Sequence, residues 1–332
     1  MGRRGARNDI TDVPGVKVGA AHDARIRTGV SVVLPDEAAI VAGDIRGGGP
    51  GTRETDLLDP STLVERADAI VLAGGSSYGL AAADGVAAAL GAAGRGFALV
   101  GAPGVPRSPI VPAAILYDLA NGGDKGWGDA PPYAALGRAA FDDARAAGAA
   151  HIQLGRAGAG FGARSGSGAG GLGSASFADD DGVAIGALIA VNAFGSPRMP
   201  GSAAFWAWPF EIDAEFGGAR PDVKAPAAAG LPPDTKLAAS AARANTTIGV
   251  VAIAAELTQA EARRIAIMAQ DGIARALRPA HGPTDGDSLF VIATGGPRPQ
   301  SPLDLTRWGS IAADVVARAI ARGVYEAERQ GG

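Results

Sequence analysis

Gly75-Ser76-Ser77-Tyr78-Gly79 has the G-x-S-x-G spacing of a nucleophile elbow and lies between a predicted strand and a predicted helix, the context in which a serine hydroxyl stands exposed on a sharp turn. His281 and a later acid would complete a Ser, Asp, His order, but no sequence feature selects the acid. The plainer reading is a turn of small residues in which a serine caps the helix. A second hydroxyl is offered by Asn245-Thr246-Thr247-Ile248-Gly249-Val250-Val251. Threonine can be a nucleophile with its own α-amine as base, once the peptide bond before it is broken, and a free α-amine titrates near about 7.7 to 8.0. By itself, Asn-Thr-Thr is also an ordinary turn and strand start. Asp285 and Asp287, at i and i+2, would share a face if strand geometry reaches back from Leu289. Such a pair can orient a cation or hold a proton, although two solvated carboxylates in a Gly-containing turn are the commoner arrangement.

Composition narrows the chemistry. The chain has no Cys and three scattered His (His22, His151, His281), which removes thiolate metal sites and a cysteine nucleophile and leaves little for a His-rich metal centre. Oxygen nucleophiles and carboxylates remain. Lys and Arg number 30 against 34 Asp and Glu, so the basic excess that a phosphate backbone requires is missing and nucleic acid is not an expected partner. The Gly-rich run from Gly155 to Ser176 contains Gly166-x-Gly168-x-x-Gly171, formally a dinucleotide fingerprint. Strand-like residues follow it where a helix N-terminus would be needed, so no nucleotide cofactor is expected, and the run reads as a backbone lining open to close approach by a substrate. The basic start leads into Asn8, Asp9 and Asp12, with no secretory apolar segment. The apolar region Ala69 to Gly94 is broken by glycines, serines and Asp84. These features predict a soluble, cytoplasmic protein.

The elements that must position these residues are short runs of Val, Ile, Leu and Ala between Gly- and Pro-rich loops. Predicted strands are Val30 to Leu34, Ala69 to Ala73, Ala113 to Leu116, Leu172 to Phe177, Val183 to Val191, Thr247 to Ala254 and Leu289 to Thr294, with few charges and therefore buried on both faces. Predicted helices are Leu80 to Leu90, Tyr133 to Ala147, Gln259 to Leu277 and Leu305 to Arg322, the third opened by a Thr258/Glu261 capping box. Strands and helices do not alternate steadily, which favours stacked layers over a doubly wound sheet. Met199 to Ala244, with six prolines, reads as a long surface excursion or linker where a chain is readily cut.

Six blocks, in order, resemble the DmpA-type and nylon-oligomer-hydrolase-type (NylC-like) autoprocessing N-terminal-nucleophile hydrolases: Ile45 to Asp59, Leu72 to Leu80, Gly155 to Gly160, Gly171 to Ser176, Asn245 to Val251 and Asp285 to Phe290. The resemblance covers nearly the whole chain. It implies an α/β layered fold, an αββα sandwich of the DmpA and ornithine acetyltransferase type, made as a single domain over residues 1–332. The chain would cut itself between Asn245 and Thr246, giving an α chain (1–245) and a β chain (246–332) that stay associated. The resemblance assigns Thr246 as nucleophile, Asn192 as oxyanion donor, Tyr117 to substrate binding, and Asp285 and Asp287 to orienting Thr246 and setting the charge of its amine. Ser77 becomes structural. The implied activity is hydrolysis of amide bonds in small peptides or ω-amino-acid oligomers through an acyl-enzyme, with no metal or cofactor, in a homo-oligomer, a tetramer of αβ units. An acyltransferase using the same acyl-enzyme and a non-catalytic binding relative are the rival readings.

The sequence departs from the resemblance in one place. Nylon-oligomer-type members carry a Lys just before Gly-Gly-Leu-Gly, where this chain has Ala169. None of the four lysines (Lys17, Lys125, Lys224, Lys236) lies in that segment, and Arg164, five residues upstream, is the nearest cation along the chain.

Overall fold

Alternate residues of the central strands enter two different apolar cores, and this alternation defines the architecture. The computed structural model describes residues 2–146, 151–222, 230–236 and 245–331. Its main elements are β1 (Val16–Asp23), β2 (Thr28–Pro35), β3 (Ala39–Ile45), β4 (Ile70–Ala73), α1 (Ala82–Ala92), β5 (Ala113–Ile115), α2 (Tyr133–Ala146), β6 (Gly171–Ala178), β7 (Ala184–Asn192), β8 (Thr246–Ile253), α3 (Gln259–Ala269), α4 (Asp271–Ala276), β9 (Ser288–Ala293) and α5 (Pro302–Arg329). In β7, β8 and β9, Ile189, Val251 and Val291 face the helices α3, α4 and α5. Their neighbours Leu188, Val250 and Phe290 face a second sheet, where they meet Val33, Leu72 and Leu116. A third core joins the outer face of that second sheet, through Val30, Val32 and Val71, to α1 and α2. The layers therefore run helices, sheet, sheet, helices, as the αββα expectation has it, with each sheet buried on both faces.

The larger sheet has the order Arg3–Arg4, β6, β7, β8, β9, β3, Arg66–Ala67, and the smaller has β1, β2, β4, β5, Thr52–Arg53. β8 is central in the larger sheet. It pairs antiparallel with β7, Asn192 opposite Thr246, and parallel with β9, Ile248 opposite Ser288. All seven predicted strands are present, within a residue or two of their expected bounds, whereas β1 and β3 are not among the predicted strands. The predicted helix Gln259 to Leu277 divides into α3 and α4 at Gln270, whose buried side chain donates to the Asp44 carbonyl at 2.6 Å. The capping box at Thr258 and Glu261 is present at the start of α3.

The Pro-rich region corrects one expectation. Phe205, Ala207 and Phe216 are buried in the core beneath α5, so this part of Met199 to Ala244 packs into the domain and is not a surface excursion. Residues 223–229 and 237–244 of that stretch lie outside the described residues. Among the described residues, no helix is long and apolar enough to cross a membrane.

Candidate active site

Thr246 is the first residue of β8, and strand pairing on both sides fixes where its hydroxyl stands. Asn192, the last residue of β7, is opposite it, and just before it Asn245 forms a parallel bridge with Asp285, in the turn that leads into β9. Asn192, Asn245, Thr246, Asp285 and Asp287 are all buried. The Asn245 carbonyl accepts the Gly286 N–H at 3.0 Å, and the Thr246 hydroxyl donates to the same carbonyl oxygen. The bond between Asn245 and Thr246 therefore has its own hydroxyl beside it and a main-chain donor on its oxygen.

The two acids are not the solvated turn that their sequence suggests. Asp287 accepts the Thr247 N–H at 2.7 Å through Oδ1, and through Oδ2 it meets the His281 N–H at 3.0 Å and His281 Nδ1 at 2.9 Å. Asp285 accepts the Gly282 N–H at 2.7 Å and the Phe194 N–H at 3.4 Å. The Gly-rich block after β3 lies over the same turn: Gly47 N–H donates to the Asp287 carbonyl and Gly49 N–H to the Asp285 carbonyl. A Cβ on Gly47 would run into the Asp285 carbonyl, so glycine is what permits this close approach.

Asn192 has its amide orientation forced. Its Oδ1 accepts the Arg164 main-chain N–H at 2.9 Å, and its Nδ2 donates to the Tyr117 carbonyl at 3.1 Å. A main-chain N–H only donates and a carbonyl only accepts, so the opposite flip would spoil both contacts. Tyr117 thus joins the site through its main chain. Sequence reasoning passed over Lys236, whose buried Nζ donates to the Asn192 carbonyl at 2.9 Å and approaches Asn192 Oδ1 at 3.3 Å. Nothing in its Pro-rich surroundings marks it as a site residue, because only the tertiary fold brings it to the end of β7. His281, considered beside Ser77, lies instead on Asp287. Ser77 is exposed in a short 3-10 turn (Ser76–Ala81). Ala169 pairs with Arg164 in a small hairpin, and the Arg164 side chain is exposed.

Burial dominates the electrostatics. It pushes the Asp285 carboxyl up to about 6, with the Asp287 charge adding and Gly282, Phe194 and Lys236 opposing. It pulls the Lys236 ammonium down to about 7, against the Asp285 charge and with help from Arg164. The folded chain thus holds the Asp285 proton more tightly than the unfolded chain does. That contribution to stability is complete below about pH 4 and is lost as pH rises through about 6, worth about 3 kcal/mol at about 1.4 kcal/mol per pH unit. Asp285→Asn should therefore gain melting temperature relative to the parent between pH 4 and 6. Parallel melting curves for the two proteins across that range would contradict it.

Among the described residues no cluster of His, Cys, Asp and Glu is suited to hold a metal ion. An open cleft of roughly 400 Å³ lined by Asp36, Arg66, Thr258 and Arg298 lies at the opposite ends of β8 and β9, away from these groups. The site is thus defined by its chemistry and not by that cleft.

The chain belongs to peptidase family S58, which it matches over residues 8–332. It is 43% identical over 340 residues to an uncharacterized aminopeptidase of Mycobacterium tuberculosis (strain ATCC 25618 / H37Rv), covering 97% of this chain and 94% of that one. A 6-aminohexanoate-oligomer endohydrolase of Kocuria sp. (strain KY2) is 30% identical over 332 residues, covering 93% and 84%. The L-aminopeptidase D-Ala-esterase/amidase from Ochrobactrum anthropi, described as a variant of the Ntn hydrolase fold, superposes with a TM-score of 0.69 at 20% identity, covering 97% of this chain and 87% of that one. The family resemblance read from the six blocks is thereby established, and so is the fold.

Proposed function

We propose that this protein cuts itself between Asn245 and Thr246 and then uses Thr246 to hydrolyse amide bonds of small peptides or ω-amino-acid oligomers through an acyl-enzyme. The observation that carries the reading is the junction itself: a Thr hydroxyl against the preceding carbonyl, a Gly286 N–H on that carbonyl oxygen, and buried acids directly behind. In the first step Thr246 Oγ adds to the Asn245 carbonyl carbon, the C–N bond breaks, and the Oγ proton ends on the released Thr246 nitrogen. The resulting Asn245 ester takes up water, giving an Asn245 carboxylate and restoring the hydroxyl. The freed α-amine then serves as base while Oγ attacks a substrate carbonyl, and the amine leaving group departs with a proton. Asn192 supplies an amide donor to the developing oxyanion, Asp285 and Asp287 orient Thr246 and set the charge of its amine, and Tyr117 borders the substrate. The single domain becomes two chains, 1–245 and 246–332. The relatives named for aminopeptidase and 6-aminohexanoate-oligomer hydrolysis support the substrate class.

The test is a mass spectrum and N-terminal sequence of purified, aged protein. Fragments of about 24 and 9 kDa are expected from the 32.8 kDa chain, the smaller beginning Thr-Thr-Ile-Gly. Any other start would move the nucleophile, and an intact chain without acyl-enzyme trapping would remove it.

A further inference from the structure

Lys236 is a buried amine in the middle of the candidate site, and the mechanism above gives it no task. Its place is built. The Lys236 N–H donates to the Phe194 carbonyl at 3.1 Å, Ser167 N–H donates to the Asp234 carbonyl at 2.8 Å, and the Ser196 hydroxyl donates to the Asp234 carboxylate. Gly166, with a φ of +53°, sits in the Gly-rich hairpin where a Cβ would stand 2.6 Å from the Asp234 carbonyl. The Gly-rich hairpin thus seats the segment that carries the lysine.

From that seat Nζ reaches both oxygens of Asn192, the residue paired with Thr246. Burying an ammonium costs several kcal/mol unless it is paired and hydrogen-bonded, and here the compensating groups are the Asn192 oxygens and the charge of Asp285. Phe194 links them further, because its N–H donates to Asp285 while its carbonyl accepts from Lys236.

We propose that Lys236 is the positioning cation of this hydrolase: it holds the Asn192 carboxamide with Oδ1 toward the ammonium and NH2 turned away from it, and balances the Asp285 charge beside Thr246, so that cutting of the junction depends on its positive charge. The proposal rests on the reading of Thr246 as nucleophile. It also explains how the site obtains a cation although Ala169 and the exposed Arg164 side chain provide none inside it. Dependence is greatest before the cut, since the Thr246 nitrogen is then an amide and contributes no charge of its own. After the cut the α-amine adds a titrating group next to the hydroxyl.

Among the described residues, the groups facing Lys236 include Asp285 and Arg164, with Asp287 and His281 behind Asp285 and Asp234 on its own segment. The ammonium, drawn down to about 7, loses its proton as pH rises through that value, so precursor cleavage falls on the alkaline side. Arginine stays charged there.

The experiment follows precursor disappearance after cell-free synthesis, with the full chain transferred to buffers from about pH 5 to 9, for the parent, Lys236→Met and Lys236→Arg. Circular dichroism on the same preparations reports folding. The expected result is a folded Lys236→Met that cleaves about 10²-fold more slowly, and a Lys236→Arg that retains cleavage and loses the alkaline fall. A folded Lys236→Met within about threefold of the parent overturns the proposal. So does an alkaline fall of unchanged midpoint in Lys236→Arg, or a parent profile that stays level to about pH 9; these two readouts decide the matter if the methionine variant does not fold. A small fragment starting at any residue other than Thr246 instead overturns the underlying nucleophile reading, whatever the lysine variants do.

Discussion

Thr246→Ala is expected to leave one uncut chain of 32.8 kDa on a denaturing gel and to lower amide hydrolysis by about 10⁴- to 10⁶-fold, the scale on which enzymes lose turnover with their nucleophile. In the proposed mechanism the hydroxyl is the attacking group of both reactions, on Asn245 in the precursor and on the substrate carbonyl in the cut enzyme. Thr246→Ser keeps that oxygen and should retain part of each activity. It gives up the methyl group that restricts the threonine rotamer at the head of β8, so the serine hydroxyl spends less time against the Asn245 carbonyl. Ser77→Ala is the matched control. Ser77 is exposed on its 3-10 turn, and its loss should leave cutting unchanged. The reverse pattern, with an active Thr246→Ala and an inactive Ser77→Ala, would transfer the chemistry to the elbow.

Gly286→Ala should slow cleavage of the precursor by about 10²-fold, the penalty that a misplacement of roughly 1 Å imposes on a positioned reaction. An added Cβ would stand 2.7 Å from Thr246 Oγ and 3.0 Å from the Gly49 carbonyl. The Gly49 carbonyl belongs to the loop whose own N–H is fixed on the Asp285 carbonyl at 2.8 Å, so that side is rigid and the hydroxyl must move. The same residue supplies the N–H on the Asn245 carbonyl, so any shift of the turn also loosens the donor that meets developing negative charge. Time courses of precursor loss measure the effect. A Gly286→Ala chain that folds and cuts at the parent rate would show that the Asp285–Asp287 turn has no part in the junction.

These expectations join two parts of the chain that look unrelated in sequence. The block from Ile45 to Gly51 has no acid, base or nucleophile aimed at the hydroxyl, and its glycines serve to let one loop lie on another. The Gly-rich hairpin does the same for the segment of Lys236 and gives the Arg164 N–H to Asn192. In these two blocks glycine marks places where backbone approaches backbone around the buried site.

Sequence alone determined the strands with runs of Val and Ile, because side chains of that kind on both faces can be satisfied only between two layers. It did not mark β3, nor β1, where Gly19, Ala20 and Ala21 replace the apolar run. There the small residues let α2 pack close, and a Cβ on Gly19 would strike its backbone. The Asn-Thr junction and the Asp285, Asp287 pair were singled out by the resemblance of the six blocks, and the structure sets them side by side at the ends of neighbouring strands. Whether those acids are solvated or buried was not legible, since that depends on the loop after β3 covering them. Lys236 was decided by tertiary structure entirely. It lies 44 residues along the chain from Asn192, in a Pro-rich segment without periodicity, and its proximity arises only when the hairpin at Gly166 and the end of β7 bind that segment. A charge acts through space, so a site can obtain its cation from any segment the fold brings near, and local sequence keeps no record of which one.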